Sequence, residues 1–446
     1  MIEVTSEDAA ERTLLVALET PDDSRTHTDE SLEELGELVR SAGGVVIDKI
    51  VQRLHSPTAP FYIGKGKAEE AAKLVKRLNI QSIVFDDELT PAQARNLEKL
   101  FTKKVLDRTQ LILDIFAQRA RTREGKLQIE LAQLQYLLPR LTRMWTHLSR
   151  QSGGIGTRGP GETQLEVDRR RVQERLARLE RDLEEVRKHR MIQREGRRRN
   201  HWPICALVGY TNAGKSTLLN RLTSSDVYAA DQLFATLDPT VRSFFLPNQQ
   251  QVLLTDTVGF LQKLPHHLVD SFRATLEEVQ EADVLIHVVD ASYPRFRDQM
   301  DAVEEVLKQL DADKKQTLLV FNKTDRLELS GNIDRTAEQF PHAVAVSALT
   351  GKGMDQFYSE LEGMLRSWRM EVRLRIPQAE SALMAEIYRI GRVTAVSYEA
   401  NDVILTAHIP PMLQGRVKAY IVADREPAAR TPRRRKAPRK VVEPGG

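Results

Sequence analysis

The stretch Gly209-Tyr210-Thr211-Asn212-Ala213-Gly214-Lys215-Ser216-Thr217 constrains this chain more than any other. Its spacing is G-x-x-x-x-G-K-[ST], that of a phosphate-binding loop. The loop needs a strand before it and a helix after it. Ile204-Cys205-Ala206-Leu207-Val208 is a short apolar run that reads as a buried strand, and Leu218-Leu219-Asn220-Arg221-Leu222 continues an amphipathic helix. Glycines allow backbone N–H groups to curl round a β-phosphate, and the helix N-terminus adds partial positive charge. Lys215 is placed to reach the β- and γ-phosphates, and the Ser216 hydroxyl to ligate Mg²⁺. Residues 209–217 together form the candidate cradle. The competing reading, a glycine-rich turn that matches by accident, weakens in this strand–loop–helix context.

Further elements follow in fixed order, each after an apolar run. Asp256-Thr257-Val258-Gly259 follows Val252 to Leu254. An aspartate at a strand end can stand behind a bound Mg²⁺, and the Gly259 N–H can meet a γ-phosphate. Asn322-Lys323-Thr324-Asp325 follows Leu318 to Phe321. The two carboxylate oxygens of Asp325 can accept from guanine N1–H and N2–H. Adenine offers no such donor pair, so this element selects GTP. Ser347-Ala348-Leu349 follows Ala343 to Val346, and its backbone N–H is placed to meet guanine O6. All four elements fall at strand ends, where an open α/β sheet holds its ligand.

A length of 446 residues suggests about three domains, with 41% hydrophobic and 29% charged residues. The single cysteine, Cys205, excludes an internal disulfide framework and lies in the apolar run before the loop. The cytosol is therefore the expected compartment. Residues Met1 to Asp8 are acidic without an apolar core, unlike a signal peptide. No run approaches the roughly 18 apolar residues of a membrane span. Net charge is +3, but residues 121–203 carry +9 and residues 425–446 carry +6, which leaves −12 elsewhere. Two basic segments on an acidic protein suggest a polyanionic partner; the alternative is a solvated helix face and a disordered tail.

Residues 12–120 alternate strand and helix patterns, which argues a small α/β domain with a parallel sheet. Strands are expected at Thr13 to Leu18, Val45 to Leu54, Ser82 to Phe85 and Val105-Leu106. Helices are expected at Ser31 to Ala42, Lys67 to Leu78, Pro91 to Phe101 after Thr90, and Thr109 to Arg121. Gly64-Lys65-Gly66-Lys67 reads as a polyanion or RNA contact, as a second nucleotide site, or simply as a helix start. Leu127, Leu131, Leu134, Leu138, Leu141, Trp145 and Leu148 form one heptad seam, and Val172, Leu176, Leu179, Leu183 and Val186 a second. The two make an antiparallel helical hairpin, with Pro139 a possible kink in its first helix. Its tip is the glycine-rich Ser152 to Thr163, which can press backbone against a partner while Arg158 supplies charge. The other reading of the tip is a flexible turn. Arg187 to Arg199 reads as a basic connector. After the nucleotide domain, Val372 to Ile376, Arg392 to Tyr398 and Val403 to Ala407 read as strands and Ser381 to Tyr388 as a helix.

These residues resemble translation-factor-class GTPases, and within them closely the HflX family. The resemblance rests on Gly64 to Lys67, Gly153 to Glu162, Gly209 to Ser216, Phe234-Ala235-Thr236-Leu237-Asp238, Asp256 to Phe260 and Asn322 to Asp325. The tip loop beside this particular 234–238 segment is the specific part. The resemblance implies a cytoplasmic, in part ribosome-associated, GTPase that binds the 50S subunit and its rRNA and separates stalled or idle 70S ribosomes. It implies that the tip loop reaches the peptidyl-transferase region, through Gly153, Gly154, Gly156, Arg158, Gly159 and Gly161. By the same resemblance Thr236 is the switch threonine that closes on Mg²⁺; on sequence alone Thr240 competes, and residues 226–242 are polar enough to be a mobile switch. Lys215, Thr236 and Gly259 are then the candidate catalytic residues, and Ser216 and Thr236 the metal ligands.

Phe260 stands where Ras has a water-orienting glutamine, so hydrolysis is expected to be slow alone and to rise on the ribosome. Asn212 resembles the asparagine of GTPases that bind K⁺ beside the phosphates; the alternative is that it only supports the turn. The expected architecture is α/β. An N-terminal α/β domain spans 1–121, the hairpin and connector 122–200, a P-loop GTPase domain 201–369, an α+β domain 370–424 and a basic tail 425–446. A monomer is expected. The rival function is an RNA-binding or remodelling protein whose N-terminal domain acts while the GTPase regulates; a second rival is a signalling GTPase with a protein partner.

Overall fold

The structure is a computed structural model, and it describes residues 10–21, 25–141, 160–199, 202–223, 233–234, 240–263, 273–327, 331–366, 370–409 and 411–422. The chain divides into two compact units, Met1–Pro247 with Gln251–Leu365, and Asn248–Gln250 with Arg366–Gly446.

The first unit begins with a four-stranded parallel sheet. Its strands are β1 (Glu11–Glu19), β2 (Gly44–Arg53), β3 (Ser82–Phe85) and β4 (Lys104–Asp107), in the order β2-β1-β3-β4. Leu14 through Leu18 is an unbroken apolar run, buried along its whole length. Such a strand needs helices on both faces. These are α1 (Arg25–Ser41), α2 (Lys65–Arg77), α3 (Pro91–Phe101) and α4 (Arg108–Arg119). Leu14, Val16 and Phe85 pack with Ala68, Val75 and Leu97 on one face. Leu15, Ala17 and Val84 pack with Leu35, Leu38, Ile112 and Phe116 on the other. Thr90 caps α3 through a reciprocal box with Gln93, and Pro91 opens the helix where its missing N–H costs nothing.

Two further helices, α5 (Arg123–Leu141) and α6 (Pro160–Arg199), are the described parts of the hairpin. Leu131, Leu179 and Leu183 form the seam between them, flanked by Leu127, Leu134 and Leu176. Arg175 grips Glu130 with two hydrogen bonds of 2.7 and 2.8 Å across the pair. Buried Asp107 ties α5 to the sheet: it accepts from Tyr136 Oη at 2.7 Å, from Leu89 N at 3.1 Å and from Arg140 Nη2 at 3.3 Å. Pro139 lies inside α5 without ending it.

Several helix boundaries differ from the sequence reading; α1, for example, begins at Arg25 instead of Ser31. The α2 helix begins at Lys65, so Lys65, Gly66 and Lys67 are helical and Gly64 is the cap. The α6 helix begins at Pro160, so Pro160 to Thr163 open it instead of belonging to the tip loop; proline favours a first helical position. The expected connector Arg187 to Arg199 is the continuation of α6, because no proline interrupts it and one glycine, Gly196, costs only about 1 kcal/mol. The 40 residues of α6 span about 60 Å.

The nucleotide-domain sheet has the order β10-β9-β8-β5-β7-β6. Its strands are β5 (Ile204–Gly209), β6 (Thr240–Phe245), β7 (Gln251–Asp256), β8 (Val284–Asp290), β9 (Gln316–Asn322) and β10 (Ala343–Ala345). Only β6 runs antiparallel to its neighbour. The helices are α7 (Lys215–Thr223), α8 (Arg273–Glu281), α9 (Phe296–Gln309), α10 (Gly331–Ala337) and α11 (Met354–Met364). One apolar core runs from Leu35 and Phe116 of the N-terminal sheet's helices to Phe234, Phe260 and Val303 of this domain. Phe116 and Phe234 meet edge to face, with ring centroids 4.4 Å apart.

The second unit holds a three-stranded antiparallel sheet in the order β11-β13-β12, from β11 (Met370–Pro377), β12 (Arg392–Glu399) and β13 (Asp402–Ile409). Helices α12 (Ser381–Ile390) and α13 (Pro411–Val417) cover one face, where Leu374, Ile376, Leu405 and Ala407 meet Ile387 and Leu413. Among the described residues no helix is long and apolar enough to cross a membrane.

Candidate nucleotide site

The fold brings all four strand-end elements to one edge of the six-stranded sheet. The loop 210–214 links β5 to α7. Two of its residues have positive φ, Asn212 at +59° and Gly214 at +93°, as does Gly209 just before it at +146°. A Cβ on Gly214 would fall 2.2 Å from Asn322 Nδ2, so only glycine lets the phosphate loop lie against the base-recognition segment. Asn322 Nδ2 donates to Ala213 O at 2.9 Å, and Asn322 Oδ1 accepts from Ala348 N at 2.9 Å. One buried amide thus joins the phosphate loop, the Asn322–Asp325 segment and the Ser347–Leu349 segment.

Lys215 is 6% exposed, and its amine donates to Gly209 O at 3.1 Å and Tyr210 O at 2.7 Å. Burial lowers its pKa to about 8; nearby Asp256 opposes that shift and Lys323 adds to it. The Ser216 hydroxyl donates to Asp256 Oδ2 at 2.7 Å. Thr257 Oγ1 donates to Leu207 O at 2.6 Å, which fixes the start of the 256–260 segment. Gly259 lies against the loop: a Cβ there would sit 2.6 Å from Thr211 Cα and 3.1 Å from Lys215 Nζ. Phe260 is 2% exposed and points into the core shared with the N-terminal helices.

At the base-recognition end Ser347 Oγ donates to the exposed Asp325 at 2.5 Å and accepts from Thr350 N at 3.1 Å. Ser347 and Ala348 are buried, while Leu349 is 70% exposed. Of the 234–238 segment, Phe234 is buried and its N–H donates to Thr211 Oγ1 at 3.0 Å. Ala235, Thr236, Leu237 and Asp238 lie outside the described residues, as do Gly153, Gly154, Gly156, Arg158 and Gly159. Gly161 is in the first turn of α6. Thr240, the competing switch threonine, starts β6 opposite Asp256, so residues 240–242 are strand instead of mobile switch.

Several supporting residues escaped the sequence reading. Asp290, at the end of β8, pairs with Lys323 Nζ at 2.8 Å. Arg221 of α7 donates to Ala348 O at 3.0 Å and to Leu349 O, so the helix of the phosphate loop also holds the last segment. His287 is 4% exposed on β8; burial and the Lys215 charge lower its pKa to about 4, so it is neutral near pH 7. The strand-end position of Asp290 was a usable signal. Arg221 and His287 carry no motif, and their partners are distant in sequence.

A phosphate loop, a strand-end aspartate and a guanine-type Asn-Lys-x-Asp segment on a mostly parallel sheet define a P-loop GTPase. Family comparison agrees along the chain. Residues 29–117 match the family described as GTP-binding GTPase N-terminal, residues 119–197 GTP-binding GTPase Middle Region, and residues 204–323 50S ribosome-binding GTPase. GTPase HflX of Lacrimispora saccharolytica is 48% identical over 406 residues, covering 90% of this chain and 94% of that protein. GTPase HflX of Escherichia coli is 48% identical over 387 residues, covering 86% and 90%. GTPase HflX of Caldanaerobacter subterraneus is 44% identical over 416 residues, covering 93% and 94%. The chain belongs to the HflX family of GTPases. Among solved structures, a GTP-binding protein from Sulfolobus solfataricus in complex with GDP matches with 24% identity and a TM-score of 0.44, covering 80% of this chain and 99% of that chain.

Proposed function

We propose that this GTPase is a switch that docks on the 50S ribosomal subunit in its GTP state and separates stalled or idle 70S ribosomes. The observation that carries the nucleotide half is the single buried amide of Asn322 that joins the phosphate loop to both base-recognition segments. Asp325 then accepts from guanine N1–H and N2–H, and a backbone N–H of the Ser347–Leu349 segment meets O6. Lys215 holds the β- and γ-phosphates, and residues 209–214 and Thr217 wrap them with backbone N–H groups. GTPases use Mg²⁺, and the donor set suits it: the Ser216 hydroxyl stands within hydrogen-bond distance of the Asp256 carboxylate, and both are the oxygen groups that a hard cation takes. When bound, Mg²⁺ neutralises charge developing on the phosphates. Thr236 completes its ligands in this reading, and Gly259 N–H marks the γ-phosphate.

Phe260 supports the expectation of slow intrinsic hydrolysis. Its side chain is turned into the core and cannot orient a water. The missing catalytic help comes, in this reading, from the ribosome. K⁺ beside Asn212 is a further part of the proposal, since the left-handed backbone there turns the loop at the phosphates.

The ribosomal half is supported by the 50S ribosome-binding family match over residues 204–323 and by the exposed arginines of α6, such as Arg170, Arg171 and Arg181. Arginines along a helix about 60 Å long suit phosphate contacts, which fix register without reading sequence. The tip loop, carried at the end of the hairpin, presses its backbone against rRNA. Phosphate release with and without purified 50S subunits tests the reading. A clear rise with subunits is expected; the same rate in both would reject ribosomal activation.

A further inference from the structure

Residues 260–263 are held from two sides. On one side they are zipped to the phosphate loop: Phe260 N donates to Gly209 O at 3.1 Å, and Thr211 N donates to Phe260 O at 2.8 Å. On the other side stands a charged network built from α1, α4 and the end of β3. Arg108 is 2% exposed and donates to Asp86 Oδ1 at 2.7 Å, to Ser31 Oγ at 3.0 Å and to the Glu34 carboxylate. Its Nη1 also reaches Gln262 O at 3.4 Å. Glu34 accepts from the Tyr210 hydroxyl, which itself accepts from Gln262 N at 2.9 Å. Lys263 Nζ donates to Asp86 Oδ2 at 2.5 Å and Asp87 Oδ1 at 2.8 Å. Both backbone groups of Gln262 and the side chain of Lys263 are therefore fixed by, or through, N-terminal residues. Lys263 is held at φ +54°, a conformation that side chains adopt only under such constraint.

We propose that Glu34 and Arg108 are positioning residues for the Gly259 segment, so that the N-terminal domain sets how well the site distinguishes a triphosphate from a diphosphate. The inference rests on the reading that Gly259 N–H meets the γ-phosphate. Gly259 lies three residues before Gln262 on a chain zipped to the loop. Loosening Gln262 therefore lets the Gly259 N–H wander, and a donor that must be ordered on binding gives less affinity than one already placed. GDP offers that N–H no group, so its affinity does not depend on the clamp. Tyr210 is the link on the nucleotide side. Burial first, and then Glu34, push its phenol well above its ordinary pKa, so it stays a donor to Glu34.

The full-length protein is titrated with fluorescent GDP and with a non-hydrolysable GTP analogue, in wild type, Glu34→Gln, Tyr210→Phe and the double variant. Glu34→Gln keeps the volume and leaves Asp86 and Asp87 to balance Arg108 and Lys263, and circular dichroism melting checks the fold. Analogue affinity is expected to fall about five- to tenfold in each single variant. GDP affinity of Glu34→Gln stays within about twofold, and the double variant is no weaker than the singles in analogue binding, because both remove one link. Equal losses for both nucleotides, no loss for either, or additive losses would overturn the proposal. Gly259→Ala is measured alongside. If it loses triphosphate preference while Glu34→Gln does not, only the positioning role fails. If Gly259→Ala keeps the preference, the γ-phosphate reading fails and the proposal with it.

Discussion

Asp325 shows how little of a site one side chain needs to supply for specificity. Its carboxylate is set by Ser347, and the recognition of guanine proposed for it needs only two acceptor oxygens facing two donors. Asp325→Asn should therefore shift preference from GTP to XTP by about 100-fold or more, since an amide N–H₂ can donate to xanthine O2. Competition binding with the two nucleotides measures it, and unchanged GTP preference would remove Asp325 from the base site. Asp86 makes a different kind of prediction. Burial works against its ionisation, but the Arg108 and Lys263 charges outweigh burial and hold its pKa well below the usual carboxylate range. A carboxylate depressed in the folded state stabilises above its unfolded pKa of about 3.9, and that stability is lost as pH falls through the lower folded value. Asp86→Asn should cost about 3 kcal/mol at pH 7, and the gap to wild type should close as pH drops below about 4. Urea denaturation at both pH values checks this. No motif announced Asp86 or Arg108: Lys263 lies 177 residues from Asp86. The residues of the nucleotide site were legible because their chemistry sits at fixed offsets from apolar strands.

At the scale of elements, the hairpin was legible as two heptad seams, but its ends were not. Glycine density made residues 152–163 look like one loop. Proline's preference for a first helical turn gives Pro160 onward to α6 instead. The seam is short, with Leu131, Leu179 and Leu183 buried between the two helices. Leu179→Ala should remove about 3 kcal/mol of packing and loosen the hairpin. Guanine-nucleotide affinity should stay at the wild-type value, because α6 contributes nothing to the phosphate loop. Limited proteolysis within residues 142–199, together with nucleotide titration, tests both halves; unchanged cleavage would mean that the seam does not hold the pair. Shortening 153–161 to a minimal turn should likewise spare GTP binding but abolish separation of 70S particles in a sucrose gradient. Some salt-sensitive affinity should remain through Arg169 to Arg190, since phosphate attraction is non-specific and screened. Full separation by the shortened protein would make the loop only a turn.

Within the first unit one apolar core joins the N-terminal helices to the nucleotide domain. Leu35 and Phe116 lie in the same apolar cluster as Phe234 and Phe260, next to the two segments proposed to meet the γ-phosphate. In that proposal a shift in either segment would reach the domain that carries the hairpin. The sequence showed both domains as separate β–α alternations. It could not show their contact, because a shared core between distant segments leaves no local pattern. With Phe260 turned inward, hydrolysis by the isolated protein should be slow, and replacing K⁺ by Na⁺ in a phosphate-release assay should lower it further if Asn212 helps hold the ion; equal rates would leave Asn212 a turn residue. The most direct test of the account is co-sedimentation of the full-length protein with purified 50S subunits, in the presence of a non-hydrolysable GTP analogue or GDP. The account predicts stoichiometric pelleting with the analogue and largely free protein with GDP. Equal pelleting with both nucleotides, or none with either, would contradict it.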